Sequence, residues 1–461
     1  MRLAGKLCPA FLVSALLGGC TAPLELAAPL VPASHVNRHP QSIAPAILLT
    51  SATSSLPTAA NPDDPLAGKA ELSADILVEQ VLARNPTLSQ MVAAWQAASA
   101  RYPQVTALDD PMFGLMAAPA SIGSSNVEFG YRVEITQKLP YCGKRGLRGQ
   151  SALAEASAAG HEVDDARLQL IESARSALAD YYFAEHALAV NREGLELLRS
   201  FRDRAKERYE KVPGANEQDL RQADVELGRQ EQKEITLTRL RTVAVARMNT
   251  LMHLAPEHHL PPPPRALTMT KPLPEASTLA AIALERRPDL QALADRIRAD
   301  EAALGLAEKE YYPDVEVAAA YDTIMGNGPM RDLAPQVGVR VNVPLQRGRR
   351  DAAVAEAQAR VAQRRAELAR QTDHVHLQVQ EAYAQVRESE RIVGLYEAKL
   401  LPAARANVKA AEASYVGGRI PFLSLIEAQR NVVELQDRYY EAQAELFRRG
   451  ATLERVLGGA G

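Results

Sequence analysis

The residues able to hold a metal or act as nucleophiles are few and poorly placed for either task. Among 461 residues there are nine histidines and three cysteines. His253, His258 and His259 gather around Pro256, but no cysteine or helical histidine pair completes a zinc ligand set. They read as loop residues. His374 and His376 are two positions apart in a helical stretch and therefore point in different directions. No glycine-rich phosphate loop, nucleophile elbow with its histidine and acid, or zinc-protease motif occurs. The sequence argues against an enzyme, and it implies no metal and no cofactor. A formal net charge of −3 supplies no basic field for nucleic acid.

The cysteines point elsewhere. Arg2 and Lys6 precede a short apolar run from Pro9 to Leu17, the pattern of an export signal. Leu17-Gly18-Gly19-Cys20 follows at once and resembles the lipobox of bacterial lipoproteins. That resemblance implies removal of residues 1–19 and a covalent lipid on Cys20. Thr21 stands where an aspartate tends to hold such proteins in the inner membrane. Cys8 leaves with the signal, so Cys142 has no disulfide partner and reads as turn filler. Residues 20–72 are rich in Pro, Ala and Ser without periodicity, as in a tether.

The rest of the chain repeats. Pro86 and Pro288, Pro111 and Pro313, Pro140 and Pro344, Tyr209 and Tyr415, and Ala223 and Ala428 are offset by 202, 202, 204, 206 and 205 residues. Five landmarks at a nearly constant offset mark a tandem duplication. The first unit covers 73–255 and the second 276–461. The proline-rich stretch 256–275, with four prolines from Pro261 to Pro264, links them. Each unit reads helix, strand, loop, strand, long helix, tight turn, helix.

The strands alternate with period two. Val127, Phe129, Tyr131, Val133 and Ile135 take one face, and Glu128, Gly130, Arg132 and Glu134 the other. Val315, Val317, Ala319 and Tyr321 do the same, as do Val337, Val339, Val341 and Val343 and, more weakly, Phe113, Leu115 and Ala117. Strands of about 9–11 residues cross a bilayer with tilt. A soluble sheet with one wet face has the same pattern. The long runs from Gly146 to about Tyr209 and from Arg350 to about Tyr415 favour the first reading. Each spans roughly 95 Å as helix, and Val354, Val361, Leu368, Val375 and Ala382 recur at sevens as coiled packing requires. Pro402 should kink the second run. Four strands cannot close a barrel, since the smallest have about eight; three copies would supply twelve.

These residues together resemble the TolC family of outer-membrane efflux proteins. The likeness covers roughly residues 70–460. It rests on the lipobox, the duplicated Asn85-Pro86 and Arg287-Pro288, and Gln137-Lys138-Leu139-Pro140 before Gly143-Lys144-Arg145. It rests also on Asn249-Thr250-Leu251-Met252 and on Tyr415-Val416-Gly417-Gly418-Arg419-Ile420-Pro421-Phe422-Leu423. Asn216-Glu217-Gln218-Asp219-Leu220-Arg221-Gln222-Ala223 is similar to the heavy-metal efflux subgroup. The resemblance implies a mainly α chain with transmembrane β, in a homotrimer. Its 12-stranded outer-membrane barrel would continue into a long periplasmic helical barrel. It also implies a periplasmic adaptor (membrane fusion) protein and an inner-membrane RND-type pump as partners, together with outer-membrane lipid, and a passive conduit for export, with heavy-metal cations as one candidate cargo and drugs as another.

Matched residue by residue, the family's periplasmic constriction falls on Ser424 and Glu427, of which Glu427 keeps an acid. The repeat places Asp219 and Gln222 at the corresponding positions of the first unit, and Arg419 is placed to latch the tip against a neighbouring acid. Three acids around an axis would favour cations and repel one another when closed; a solvated helix-start acid that favours the dipole explains the same residues. Gly214, Gly417 and Gly418 fall in the tip turns, where the adaptor would touch. The first tip, Tyr209-Glu210-Lys211-Val212-Pro213-Gly214, departs from the family by lacking a glycine three residues after its tyrosine. Loops near 121–126 and 326–335 would face outward. The competing reading is a periplasmic coiled-coil lipoprotein with a soluble sheet and no channel.

Overall fold

The computed structural model describes residue 66 and residues 68–119, 122–123, 129–141, 143–211, 217–267, 273–324 and 335–459. The signal, Cys20, Cys142, Gly214 and most of both outward loops lie outside them.

The first unit begins with α1 (Ala74–Arg84), α2 (Pro86–Ser99) and α3 (Arg101–Thr106). Strands β1 (Met112–Ala117) and β2 (Tyr131–Leu139) follow, then α4 (Lys144–Lys211) and α5 (Glu217–Leu251). The second unit repeats the order: α6 (Ala276–Arg286), α7 (Pro288–Lys309), β3 (Val315–Asp322), β4 (Pro335–Val341) and α8 (Arg347–Leu395). A π-helical turn (Tyr396–Leu400), α9 (Leu401–Val416) and α10 (Phe422–Val456) complete it.

The paired prolines explain themselves locally. Asn85 and Arg287 are extended, with ψ of 123° and 121°, as a residue before proline must be. Pro86 and Pro288 open the next helix, where a missing N–H costs nothing. The two caps use different chemistry. Asn85 accepts from the Thr87 amide at 2.9 Å and donates to the Leu251 carbonyl at 2.8 Å. Buried Arg287 instead donates to both oxygens of Asp289, at 2.9 and 2.7 Å, and to Gln378.

At 68 residues α4 extends about 100 Å. Its partner in the second unit is not broken at Pro402. Proline lacks the N–H and crowds the carbonyl four residues back, and the chain answers by widening one turn, so that the Leu401 amide donates to the Tyr396 carbonyl. The sevens on α8 turn inward: Val361, Val375 and Ala382 are buried and Val354 and Leu368 half-buried, with Val379 and Val386 also buried on the same helix.

Each unit has its own core. Leu77 and Val81 of α1 pack on Ala174, Leu178 and Tyr181 of α4 and on Met248 of α5. Leu279 and Ala283 of α6 pack on Val375 and Val379 of α8 and on Val456 of α10. The strands form one antiparallel sheet in the order β1-β2-β3-β4. They run 6, 9, 8 and 7 residues, so β2 reaches the length expected and the other three are shorter. No described helix is long and apolar enough to cross a membrane.

Candidate channel-forming sheet and closing tip

Register decides what the sheet can do. Val133, Ile135, Gln137 and Leu139 align with Tyr321, Ala319, Val317 and Val315 of β3, and those with Pro335, Val337, Val339 and Val341 of β4, with Tyr131 continuing the same face of β2. Phe113, Leu115 and Ala117 of β1 join the same face. It is almost wholly apolar and open: Val337 is 83 % exposed, Phe113 71 %, Leu115 67 % and Val339 60 %. Tyr131 stacks between Phe129 and Tyr321 at one end, and Tyr141 stacks on Tyr312 at 4.6 Å beyond the other. A continuous apolar band edged by aromatic rings is the surface that meets hydrocarbon between two headgroup layers.

The opposite face carries a ladder of charges. Arg132 donates to Glu134 at 2.9 Å and to Asp322 at 3.3 Å. Arg340 contacts Glu316 at 2.9 Å and Glu134 at 3.6 Å. Cross-strand pairing of this kind suits a wet, confined face.

The far ends of the long helices form a second candidate site. Leu198 and Phe201 of α4, Ala223 of α5, Tyr415 of α9 and Phe422, Leu425 and Ile426 of α10 bury one another there. The turn between α9 and α10 closes with the Gly418 amide donating to the Tyr415 carbonyl at 2.9 Å and the Arg419 amide to Ser414 at 2.9 Å. Of the two glycines only Gly418 has a positive φ, 68°, which a Cβ would strain. At Gly417 the constraint is space, since a Cβ would meet the Arg419 guanidinium at 3.3 Å.

Glu427 is exposed on the first turns of α10, and Ser424 beside it is half-buried, its amide donating to the Pro421 carbonyl at 3.1 Å. Asp219 is half-buried in the first turn of α5. Arg419 is exposed and makes no ion pair among the described residues, so within one chain the structure does not join it to Glu427 or Asp219.

What joins the helices near the tip is a set of pairs that the motifs did not flag. Glu226 of α5 is nearly fully buried, and Arg430 of α10 grips it from the side, at 2.6 and 3.2 Å, with Arg229 at 3.4 Å. The hydrogen bond to Glu226 raises the Arg430 pKa above its ordinary value. Lys233 pairs with Asp437 one turn-pair further on, where burial pushes the Asp437 carboxyl up against the pull of that lysine. Arg202 binds Asp224 at 2.6 Å, and Arg204 binds Glu412 at 2.8 Å. A signal for two of these was present. Glu226 and Arg430, and Lys233 and Asp437, are each 204 positions apart, within the offset of the repeat. At the offset of 205 that pairs Ala223 with Ala428, Glu226 and Lys233 each meet the residue one position before their own counterparts, Asn431 and Arg438.

Around His253, His258 and His259, and among the described residues generally, no group of three or more metal-binding side chains comes together. His374 engages Gln378 at 3.0 Å.

With these two surfaces defined, the comparisons are specific. Residues 279–459 match the outer membrane efflux protein family. No curated protein matches the chain in sequence. Solved structures that share the fold include three outer-membrane channels. The outer-membrane channel OprN is 21 % identical with a TM-score of 0.71, over 88 % of this chain and 98 % of that one. CusC, described as undergoing folding and transmembrane channel formation, is 14 % identical with a TM-score of 0.71, over 88 % and 99 %. The open state of the MtrE outer membrane channel of Neisseria gonorrhoeae is 18 % identical with a TM-score of 0.70, over 84 % and 89 %. Over most of its length the chain therefore has the fold of these outer-membrane channels, and its match to the outer membrane efflux protein family lies within the second unit.

Proposed function

We propose that three copies of this chain close a 12-stranded outer-membrane barrel and serve as the passive exit conduit of an efflux system, fed by a periplasmic adaptor and an inner-membrane RND-type pump. The observation that carries this reading is the open apolar face of the sheet. Burying one valine- or phenylalanine-sized side chain contributes roughly 1.5–3 kcal/mol, and this face leaves about ten of them bare, a liability that hydrocarbon removes.

The sheet order leaves β1 and β4 as its edges. An unpaired edge does not survive in a bilayer. Four alternating strands bring β4 of one copy antiparallel to β1 of the next, so copies close on themselves without a mismatch. Twelve strands is the count that three copies give, above the minimum of about eight.

In this reading Cys20 carries lipid that holds the chain to the outer membrane. Glu427, Ser424 and Asp219 face the axis at the periplasmic tip, Arg419 latches that tip across copies, and the turns at Gly214, Gly417 and Gly418 meet the adaptor. Heavy-metal cations are the proposed cargo on the likeness of residues 216–223 to that subgroup and on the acidic tip.

The test is purification of a Cys20→Ala chain exported through a cleavable signal. A detergent-dependent trimer that conducts ions in planar bilayers supports the proposal. A monomer that stays in solution without detergent overturns it in favour of a structural periplasmic protein.

A further inference from the structure

The row of helices next to the sheet has two open sides. α2 and α3 pack on α4, α4 packs on α7, and α7 packs on the first half of α8. α2 and α3 thus stand at one side of the row and α8 at the other. Each turns one stripe inward: Trp95 of α2 lies against Gly160 of α4, and Val361 of α8 is buried.

On the side away from that contact, alanine recurs at alternating steps of three and four. α8 carries Ala352, Ala355, Ala359, Ala362, Ala366 and Ala369, all exposed. α2 and α3 carry Gln90, Ala93, Ala97, Ala100 and Gln104, likewise all exposed. Ala100 joins the two helices and keeps helical geometry, with φ −70° and ψ −10°. Alternating steps of three and four are the spacing of a helix–helix seam. Helix propensity alone would scatter alanine over an exposed surface. On α8, Glu356, Gln358, Arg360, Gln363 and Arg370 hold most of the other exposed positions of this stretch.

The two faces fit each other. Laid antiparallel, they meet layer by layer with no step out of phase: Gln104 with Ala355, Ala100 with Ala359, Ala97 with Ala362, Ala93 with Ala366 and Gln90 with Ala369. The sheet edges bring them together. α3 leads into edge strand β1, and edge strand β4 leads into α8. With β4 of one copy beside β1 of the next, α8 therefore runs alongside the next copy's α3 and α2 in the opposite direction. The heights agree. Trp95 against Gly160, His161 with Asp295 at 3.4 Å and Arg364 with Asp300 at 3.3 Å put Trp95 level with about residue 368 of α8. The layers need it level with about residue 364, a stagger of about one turn, and closing a ring of tilted elements requires a stagger.

We propose that these faces are the seam between copies beyond the membrane, α8 of one chain docking antiparallel on α2 and α3 of a second copy. The inference rests on the channel reading and names the surface by which its protomers recognise one another. Alanine lets the two axes approach to about 8 Å, the low end of helix packing distances. Neither face carries a charge in its stripe, so it suits the neutral face of a second copy rather than an acidic or basic partner. One face meets a different face of the neighbour, a head-to-tail contact that closes into a ring.

The experiment is disulfide trapping in the Cys20→Ala chain exported through a cleavable signal, with Cys142→Ser to remove the remaining thiol. Axes this close bring facing Cα atoms within the roughly 4.4–6.8 Å that a disulfide spans. Oxidised A97C/A362C, run on a denaturing gel without reductant, should appear mainly as covalent dimer and trimer. A97C alone and A362C alone should run as monomer. So should A97C/A352C, whose second cysteine lies about 15 Å away along α8. A362L should lose the heat-resistant trimer, while A353L, on another exposed side of α8, should keep it. Both positions are exposed in a single chain, and leucine is nearly as good a helix former as alanine, so the loss reads on assembly. A trimer in which A97C/A362C does not crosslink, crosslinking by either cysteine alone, or equal heat resistance of A362L and A353L overturns the seam and leaves the channel standing. A wild-type chain that is monomeric in detergent overturns the channel reading and the seam with it.

Discussion

Removing Arg430 tests whether the tip is held shut inside each protomer. The Glu226 carboxylate keeps only 5 % of its side-chain surface open, and Arg430 contacts both of its oxygens. Stripping the partner from a buried charge costs about 3–5 kcal/mol. Two features reduce that here: Arg430 is itself 43 % exposed, and Arg229 remains at 3.4 Å. About 2 kcal/mol is the appropriate scale, or a factor of about 30 in an equilibrium constant. Because Glu226 lies on α5 and Arg430 on α10, the loss falls on the arrangement in which those helices touch. R430A should therefore raise single-channel conductance or open probability by an order of magnitude or more. E226L/R430L, which removes both charges and restores apolar contact, should return most of the closed behaviour, since deleting a whole buried pair is close to neutral. A double-mutant cycle through E226L isolates the coupling. If R430A conducts like the wild type while remaining a trimer, the pair is structural only and the latch argument fails.

Three further outcomes are expected. Glu427→Ala combined with Asp219→Ala should increase conductance or leak through the tip, and unchanged traces would remove both acids from the constriction. V339R, on the apolar face midway along β4, should cost about 2–4 kcal/mol and reduce the yield of membrane-inserted trimer, whereas G338S on the opposite face of the same strand should insert normally; equal yields would show that the faces are assigned wrongly. At Asp289 burial raises the carboxyl pKa, but the hydrogen bonds from Arg287, Gln371 and the Leu290 amide outweigh it and hold the pKa below its ordinary value. A depressed folded-state pKa stabilises above the unfolded value of about 3.9, and the gain is lost as pH falls through the lower folded value. D289N should thus melt below the wild type at pH 7, with the gap narrowing under about pH 4 in melting curves recorded across that range; a gap independent of pH would contradict the assignment.

Much of this architecture is local in origin, and so the sequence alone determined it. Period two places Val133, Val317 and Val339 on one face whatever the partner strand, because side chains alternate across any extended backbone. Sevens on α8 fix its buried stripe, and proline fixes the extended residues Asn85 and Arg287. The repeat was legible for the same reason, since each unit writes its own turns and helix starts.

Contacts between units were legible only in hindsight. Glu226 and Arg430 look like two solvated helix charges until α5 and α10 lie side by side, and nothing near either residue announces the meeting. The π turn before Pro402 also needed the tertiary structure. Whether a charge is paired depends on which neighbours the register and the helix packing bring within a few ångströms, and electrostatic energy falls too steeply with distance for sequence spacing to stand in for that geometry.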